Sequence, residues 1–184
     1  RMGLYFLQPG SGVRPSTVLY DRAQSAFALS ARNDSPWGAI LAGADWLHLS
    51  GVTPALGPEC ATSAVRAAQA AADAGVAVSF DGNYRSQLWS LWPSDPPEIL
   101  GQIMKQAEMF TRSAKHFARQ FELAAVVDRI GTGDAFAAGV LHSVISGAGD
   151  AAAVNFGLAA ACLKHGIPGD FNLSSLAEVE DLLS

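Results

Sequence analysis

Short apolar segments recur along this chain, and longer alanine-rich segments lie between them. The short segments have the length and composition of strands, which are predicted at residues 2–7, 17–21, 45–49, 76–80 and 121–127. The longer segments predict helices at residues 58–74, 95–109, 134–146 and 150–164. A capping-box pattern, Ser175-x-x-Glu178, predicts one further short helix near the end of the sequence.

The order of these elements predicts an α/β fold. Residues 2–21 contain two strand segments around a turn rich in glycine and proline, which predicts a β-hairpin. Residues 45–80 run strand, helix, strand, and the second strand is continuously apolar, as is typical of a parallel sheet covered on both faces. We expect one domain over residues 1–184, with a lid hairpin at about 2–21 and a core at about 38–184. In that core a mainly parallel central sheet is flanked by helices.

Polar residues follow the predicted core strands. Asp81 and Arg85 come after the apolar strand at 76–80, and Asp134 comes after the last strand candidate. In open α/β sheets the ligand binds beyond the carboxyl ends of the strands. We therefore expect these three side chains to converge at one site.

Composition and charge narrow the class of protein. The 184 residues correspond to about one domain, and 49% of them are hydrophobic, which is ample for a buried core. A net charge of −5 without any basic run argues against a nucleic-acid partner, and no apolar run approaches the ~20 residues of a membrane span. Cys60 and Cys162 lie in alanine-rich helical segments, where buried free thiols of a reducing, cytoplasmic environment are expected.

The segment Gly131-Thr132-Gly133-Asp134, followed by an apolar helix, is the most informative chemically. The glycines let the backbone turn its N–H groups toward an anion, and the positive end of the helix dipole points to the same place. A carboxylate beside such a site is suited to take a proton from a hydroxyl while the N–H groups hold a phosphoryl group. An ordinary helix N-cap is the competing interpretation of Asp134, and local chemistry alone does not separate the two.

The wider pattern Asp128-x-x-Gly131-x-Gly133-Asp134, continued by residues 135–139, resembles the signature of the ribokinase-like carbohydrate kinases, also called the PfkB family. Further segments resemble one branch of that family, the 2-keto-3-deoxygluconate (2-dehydro-3-deoxygluconate) kinases, and they occur in the order of the family over nearly the whole chain. These segments are residues 1–6, 20–22, 46–51, 81–85 and 164–170.

The resemblance implies a ribokinase-like fold in which Asp134 is the catalytic base. The backbone N–H groups of Gly131, Thr132 and Gly133 are then the donors of the anion hole. Asp128 matches the first Asp of the signature, which implies a role near a cation or in holding the loop. A solvated loop residue is the alternative for Asp128, and the family often has Ala in place of Thr132.

Two arginines favour a substrate that carries its own carboxylate. Arg85 follows a buried strand and Arg22 lies beside Tyr20 on the predicted lid, and a guanidinium can grip a carboxylate through two parallel hydrogen bonds. Taken alone, each is more typical of a surface arginine. The resemblance assigns Tyr20, Arg22 and Arg85 to the binding of ketodeoxygluconate, and Tyr5 is a candidate for a contact at the lid, with an ordinary strand aromatic as the alternative.

We therefore expect an ATP-dependent kinase that phosphorylates a small sugar acid at its terminal primary hydroxyl, most directly 2-keto-3-deoxygluconate to its 6-phosphate. The resemblance implies ATP and Mg²⁺ as cofactors and leaves a monovalent cation open, and the histidines and cysteines show no spacing of a protein metal site. The edge strands of the lid predict a homo-oligomer. A kinase of a neutral sugar such as fructose or ribose, and a non-catalytic sugar- or nucleotide-binding module, are the alternatives. A dinucleotide-binding oxidoreductase is disfavoured because no Gly-x-Gly-x-x-Gly follows a strand.

Two parts of the family pattern are not found in the sequence. They are an Asn-x-x-Glu segment and a glycine-rich, sugar-binding segment at the N-terminus. We expect that the N-terminal part of the domain and a segment near residues 110–121 belong to the protein but are missing from this sequence.

Overall fold

A computed structural model describes residues 1–10, 13–30, 35–107, 109–111, 121 and 126–184. Its strands are β1 (Leu4–Gln8), β2 (Thr17–Asp21), β3 (Trp46–Ser50), β4 (Ala77–Asp81) and β5 (Met109–Thr111). Its helices are α1 (Ala26–Ser30), α2 (Trp37–Ile40), α3 (Val52–Ala55), α4 (Pro58–Asp73), α5 (Ser86–Trp89), α6 (Pro96–Met104), α7 (Thr132–Ile145), α8 (Asp150–Lys164) and α9 (Leu176–Leu183). The chain divides into two compact units, Arg1–Arg112 and Ser113–Ser184. The prediction of a single domain stays a prediction.

The core of the first unit is a parallel sheet in the order β3-β4-β5, which confirms the predicted α/β class. Helix α4 packs on this sheet through a face of small residues spaced three or four apart, so its backbone lies close to the strands. Its buried residues are Cys60, Ala61, Ala64, Ala67, Ala68 and Ala71. Phe80 and Ile103 are fully buried against that alanine face and fill the space between sheet and helices.

The predicted hairpin is present as two antiparallel strands, β1 and β2, and its role as a lid stays a prediction. Tyr5 faces Tyr20 across the pair, and Phe6 faces Leu19. Side chains alternate between the faces of a sheet, so the two tyrosines share one face and the exposed Phe6 and Leu19 share the other. The tyrosine face is the one that bears on the candidate site below.

In the second unit, α7 and α8 pack closely because glycines stand where they cross. A Cβ added to Gly139 would lie 2.8 Å from the Cα of Gly157, and one added to Gly157 would lie 2.6 Å from a methyl carbon of Val140. No side chain fits between the two backbones at that point. Helix α9 then packs on α8 through Val179, and the Ser175–Glu178 capping box that starts it is confirmed.

The prediction of a helix over residues 95–109 is wrong at its C-terminal end. Helix α6 ends at Met104, and residues 109–111 instead form β5, which pairs with Ser79–Asp81 of β4 in parallel register. Pairing with a buried strand decides the conformation there, against the local helical preference. The predicted strand at 121–127 falls largely outside the described residues.

Both cysteines are free thiols, as predicted, and burial raises the pKa of each. Cys60 is buried, whereas Cys162 is only partly so. Among the described residues, no helix has both the length and the apolar character needed to cross a membrane.

Candidate active site

A left-handed glycine starts helix α7. Gly131 has φ 74° and ψ 0°, and the helix begins at the next residue, Thr132. This conformation is open to glycine and is strained for residues with a Cβ. A Cβ at this position would also lie 2.3 Å from the carbonyl oxygen of Asp170, so both the turn and the close approach of the 165–170 loop require glycine.

The first N–H groups of α7 follow that turn. The N–H of Ala135 donates to the carbonyl of Gly131 at 2.9 Å and opens the hydrogen-bonded ladder of the helix. The amides of Thr132, Gly133 and Asp134 precede it, and they point out of the helix N-terminus together with the positive end of its dipole. Gly133 is exposed, and a Cβ added there would meet nothing within 4 Å among the described atoms. The arrangement is suited to receive an anion at the backbone.

Asp134 is the third residue of α7 and is exposed. The N-cap position belongs to Gly131, so the competing interpretation of Asp134 as the N-cap is wrong. Within the described part of the chain, the Asp134 carboxylate accepts no side-chain or backbone hydrogen bond. A free carboxylate beside free helix amides can act as a base on a hydroxyl that approaches the same N-terminus.

Asp128 ties the turn to the 165–170 loop. One of its carboxylate oxygens accepts a hydrogen bond from the N–H of Ile130 at 3.0 Å, and the other accepts one from the N–H of Gly169 at 2.9 Å. These two backbone donors hold the pKa of Asp128 below its ordinary value of 3.8. Of the two roles weighed for this residue, the contacts favour holding the loop.

Lys164, at the end of α8, opens the family-like segment 164–170, but the sequence assigned it no role. Its side chain is fully buried, and its Nζ donates to the carbonyls of Ile167 at 2.9 Å and Gly169 at 2.7 Å. Its Cε lies 3.2 Å from the place that a Cβ on Gly131 would take. A lysine in the last turn of a helix is usually interpreted as a partner of the helix dipole, so the sequence gives no signal of its burial.

In the first unit, the structure brings three predicted residues together on the lid. The guanidinium carbon of Arg22 lies 5.6 Å from the ring centre of Tyr5 and 5.4 Å from that of Tyr20. Both distances are within the range of a cation–π interaction. The tyrosine pair therefore fixes the direction of Arg22, which has no carboxylate partner among the described residues.

Arg85 lies directly before α5, which places its side chain beyond the carboxyl end of β4. It is exposed, and the described residues offer its guanidinium no acidic partner. Tyr20 of the lid packs against the cluster of Ala55, Leu88 and Trp89, and the last two belong to α5. The lid tyrosine is thus anchored on the short helix that begins after Arg85.

The predicted site residues are divided between the two units. Tyr5, Tyr20, Arg22 and Arg85 belong to the first, and the 128–134 segment belongs to the second. The predicted convergence of Asp134 with Asp81 and Arg85 stays a prediction.

Comparison with known proteins gives consistent results. The family profile "pfkB family carbohydrate kinase" matches residues 105–172. The chain is 32% identical over 225 residues to a 2-dehydro-3-deoxygalactonokinase of Haloferax volcanii, a match that covers 100% of this chain and 70% of that protein. It is similar to the crystal structure of a 2-dehydro-3-deoxygluconokinase from Thermotoga maritima, with 30% identity, a TM-score of 0.77, and coverage of 99% of this chain and 72% of the other. A PfkB family carbohydrate kinase from Listeria grayi matches with 26% identity, a TM-score of 0.78, and coverage of 100% and 74%.

Proposed function

Because this chain belongs to the pfkB family of carbohydrate kinases and is a sugar kinase, we propose that it phosphorylates a small sugar acid at its terminal primary hydroxyl, with ATP as the phosphoryl donor. The substrate that we propose first is 2-keto-3-deoxygluconate, which would be converted to its 6-phosphate. The two similar proteins from Haloferax volcanii and Thermotoga maritima are named as kinases of 2-dehydro-3-deoxy acids, which supports this substrate class.

The observation that carries the proposal is the first turn of α7. It combines the left-handed Gly131, the leading amides of the helix and the exposed carboxylate of Asp134. In the reaction, Asp134 would take the proton of the substrate hydroxyl as the hydroxyl oxygen attacks the γ-phosphorus of ATP. The bond from that phosphorus to the β,γ-bridging oxygen would break, with ADP as the leaving group. The amides of Thr132 and Gly133, which belong both to the predicted anion hole and to the free first turn of α7, donate to the phosphoryl oxygens. One such donor can contribute about 2.7–4 kcal/mol to the transition state.

The residues present fit a nucleotide phosphate at this position. No described atom stands within 4 Å of a Cβ placed on Gly133, which leaves room for an oxygen to approach the backbone, and the helix dipole favours negative charge there. When bound, ATP would supply the phosphoryl group, and Mg²⁺ would reduce the negative charge of its phosphates. The chain itself contributes the donors, the base and the rigid turn that carries both.

The arginines favour an acceptor that carries a carboxylate. Arg22 and Arg85 are cations without an acidic partner among the described residues, and a sugar acid brings the carboxylate that each lacks. Hydrogen bonds to charged groups contribute about 1.5–3 kcal/mol each, so the pair would discriminate strongly between a sugar acid and a neutral sugar. The tyrosine pair keeps Arg22 in one orientation and reduces the entropy lost on binding.

A coupled assay of ADP release tests the proposal on the full chain with ATP and Mg²⁺. The panel consists of 2-keto-3-deoxygluconate, its galactonate epimer, fructose and ribose. We expect turnover of one or both keto acids and none of the neutral sugars. Turnover of fructose or ribose in preference to the acids would refute the sugar-acid assignment. Tight binding of an acid without any ADP release would show a binding module instead.

A further inference from the structure

A fully buried lysine supports the turn that starts α7. Lys164 has no solvent exposure, and it is among the largest fully buried side chains in the described part of the protein. Its ammonium donates to the carbonyls of Ile167 and Gly169, both in the loop that directly follows α8. The lysine side chain therefore folds back over the end of α8 and holds together the loop that follows this helix.

A buried ammonium group is expensive, because it loses its hydration. An apolar residue of similar length, such as methionine, would fill the same space without that penalty. The two hydrogen bonds to carbonyl groups offset part of this cost, because burial makes hydrogen bonds stronger. They also hold the two carbonyls in fixed positions. The position of the 165–170 loop is what those bonds determine.

Two groups of opposite charge hold the backbone of one residue in this loop, Gly169. Lys164 binds the carbonyl of Gly169, and the carboxylate of Asp128 accepts a hydrogen bond from the N–H of the same residue. The next residue, Asp170, places its carbonyl against Gly131, at 2.3 Å from where a Cβ would stand. The N–H groups of Val127 and Asp128 donate to the carbonyl of His165 at 2.8 and 3.1 Å and complete the connection.

We propose that Lys164 is a positioning residue for phosphoryl transfer. It fixes the 165–170 loop, and that loop fixes the Gly131 turn from which the first amides of α7 and Asp134 project. The inference rests on the proposed function, since it assigns Lys164 a part in the same reaction. Lys164 does not touch the substrate; it acts through the loop and Gly131.

The proposal separates kcat from KM. A displacement of about 1 Å in catalytic groups can lower a rate by about 100-fold. Lys164→Met removes both donors while keeping the length of the side chain, so we expect kcat to fall by about 10- to 100-fold. The KM for the sugar acid should stay within about twofold, because the arginines that we assign to the acid are not part of this loop.

The matched control is Val179→Ala. Val179 is buried in the same unit, on α9, where it packs in a cluster with Ala159 and Ala160 of α8. It should lower the Tm of the protein without changing kcat per folded molecule. A second variant, Lys164→Gln, keeps a side-chain NH2 group with two donors, but on a shorter side chain and without the charge. It should fold even if Lys164→Met does not, with a smaller loss of kcat.

Amide hydrogen exchange, followed by mass spectrometry, gives a readout that does not depend on the substrate. We expect Lys164→Met or Lys164→Gln to accelerate exchange in peptides covering 126–134 and 165–172, and Val179→Ala to leave those peptides unchanged. Unchanged exchange at 126–134 in the Lys164 variants, or a kcat equal to that of the wild type, would overturn the inference. If kcat falls together with Tm in the Val179 variant as well as in the Lys164 variants, general destabilisation explains the lower rate, and the inference is overturned. A wild-type chain that turns over no sugar acid would refute the proposed function alone, since the exchange result stands independently of it.

Discussion

Two glycines in the same turn should respond to alanine in opposite ways. Gly131 adopts φ 74° and has the carbonyl oxygen of Asp170 at 2.3 Å from its missing Cβ. Gly133 has no positive φ, and no described atom lies within 4 Å of its missing Cβ. Alanine at position 131 therefore tests whether the turn needs glycine, and alanine at position 133 tests whether an incoming phosphate needs the space.

The loss in the free energy of unfolding that we expect for Gly131→Ala has two contributions. A residue with a Cβ loses about 1–2 kcal/mol in the left-handed region. The new methyl group would also lie about 1 Å inside the 3.4 Å at which ordinary contact begins, and it meets a backbone oxygen that cannot rotate away. Overpacking of this kind costs about 1–3 kcal/mol. We expect a loss of about 2–5 kcal/mol in the free energy of unfolding.

Gly133→Ala should leave stability unchanged or raise it by about 0.4–1 kcal/mol, because alanine restricts the unfolded chain and suits a helix. Side chains on a helix tilt toward its N-terminus, however, so the new methyl group would stand in the first turn of α7, on the side from which the phosphate is proposed to approach. We expect its kcat to fall by at least about tenfold, since a phosphoryl oxygen could no longer approach the backbone at hydrogen-bonding distance.

Urea unfolding and the ADP-release assay measure the two effects on the same preparations. For a protein of this size, each kcal/mol should move the Tm by about 2–4 °C. A Gly131→Ala variant as stable as the wild type would refute the account of the turn. A Gly133→Ala variant with wild-type kcat would show that no phosphoryl group passes over that residue.

Three further predictions concern single side chains. Asp134→Asn should keep the Tm and lower kcat by about 10²–10⁴-fold in the ADP-release assay, and near-normal turnover would exclude a catalytic base at this position. Arg85→Leu should raise the KM for the sugar acid by about 10- to 100-fold and leave that for ATP unchanged, whereas equal effects on both would contradict a carboxylate contact. Because the folded-state pKa of Asp128 is lowered, its contribution to stability is present above the ordinary value of 3.8 and is lost as the pH falls through the lower folded value. The stability difference between wild type and Asp128→Asn, measured by urea unfolding between about pH 3 and 7, should therefore shrink on acidification, and a constant difference would count against this role.

The sequence predicted the elements whose signals are local. Strand β2 and helix α8 have the predicted bounds, because an apolar pattern of sufficient length stands between clear start and stop residues. The capping box that starts α9 was also predicted, because Ser175 and Glu178 exchange hydrogen bonds within a four-residue pattern. The four shortest helices were not predicted, because a single turn is too short to show a periodicity. These are α1, α2, α3 and α5.

Other features depend on contacts that no local pattern encodes. The start of α7 at Thr132 rather than Asp134 follows from the left-handed Gly131, whose need for glycine comes from Asp170. The burial of Lys164 depends on two carbonyls of the loop after α8, whose positions no local pattern gives. Chemical type was sufficient to nominate Arg22, but its two aromatic neighbours became visible only with the pairing of β1 and β2.

The glycine crossing of α7 and α8 has a consequence for how such an enzyme can diversify. A methyl group on Gly157 would strike Val140 and the carbonyl of Phe136, so neither helix can shift by one residue along the other. Variants selected for a new acceptor sugar should accordingly accumulate changes on the lid and around residues 84–85, while positions 139 and 157 stay invariant. Saturation mutagenesis at those two glycines is expected to yield almost no active clones, because any side chain there disrupts the packing of the two helices.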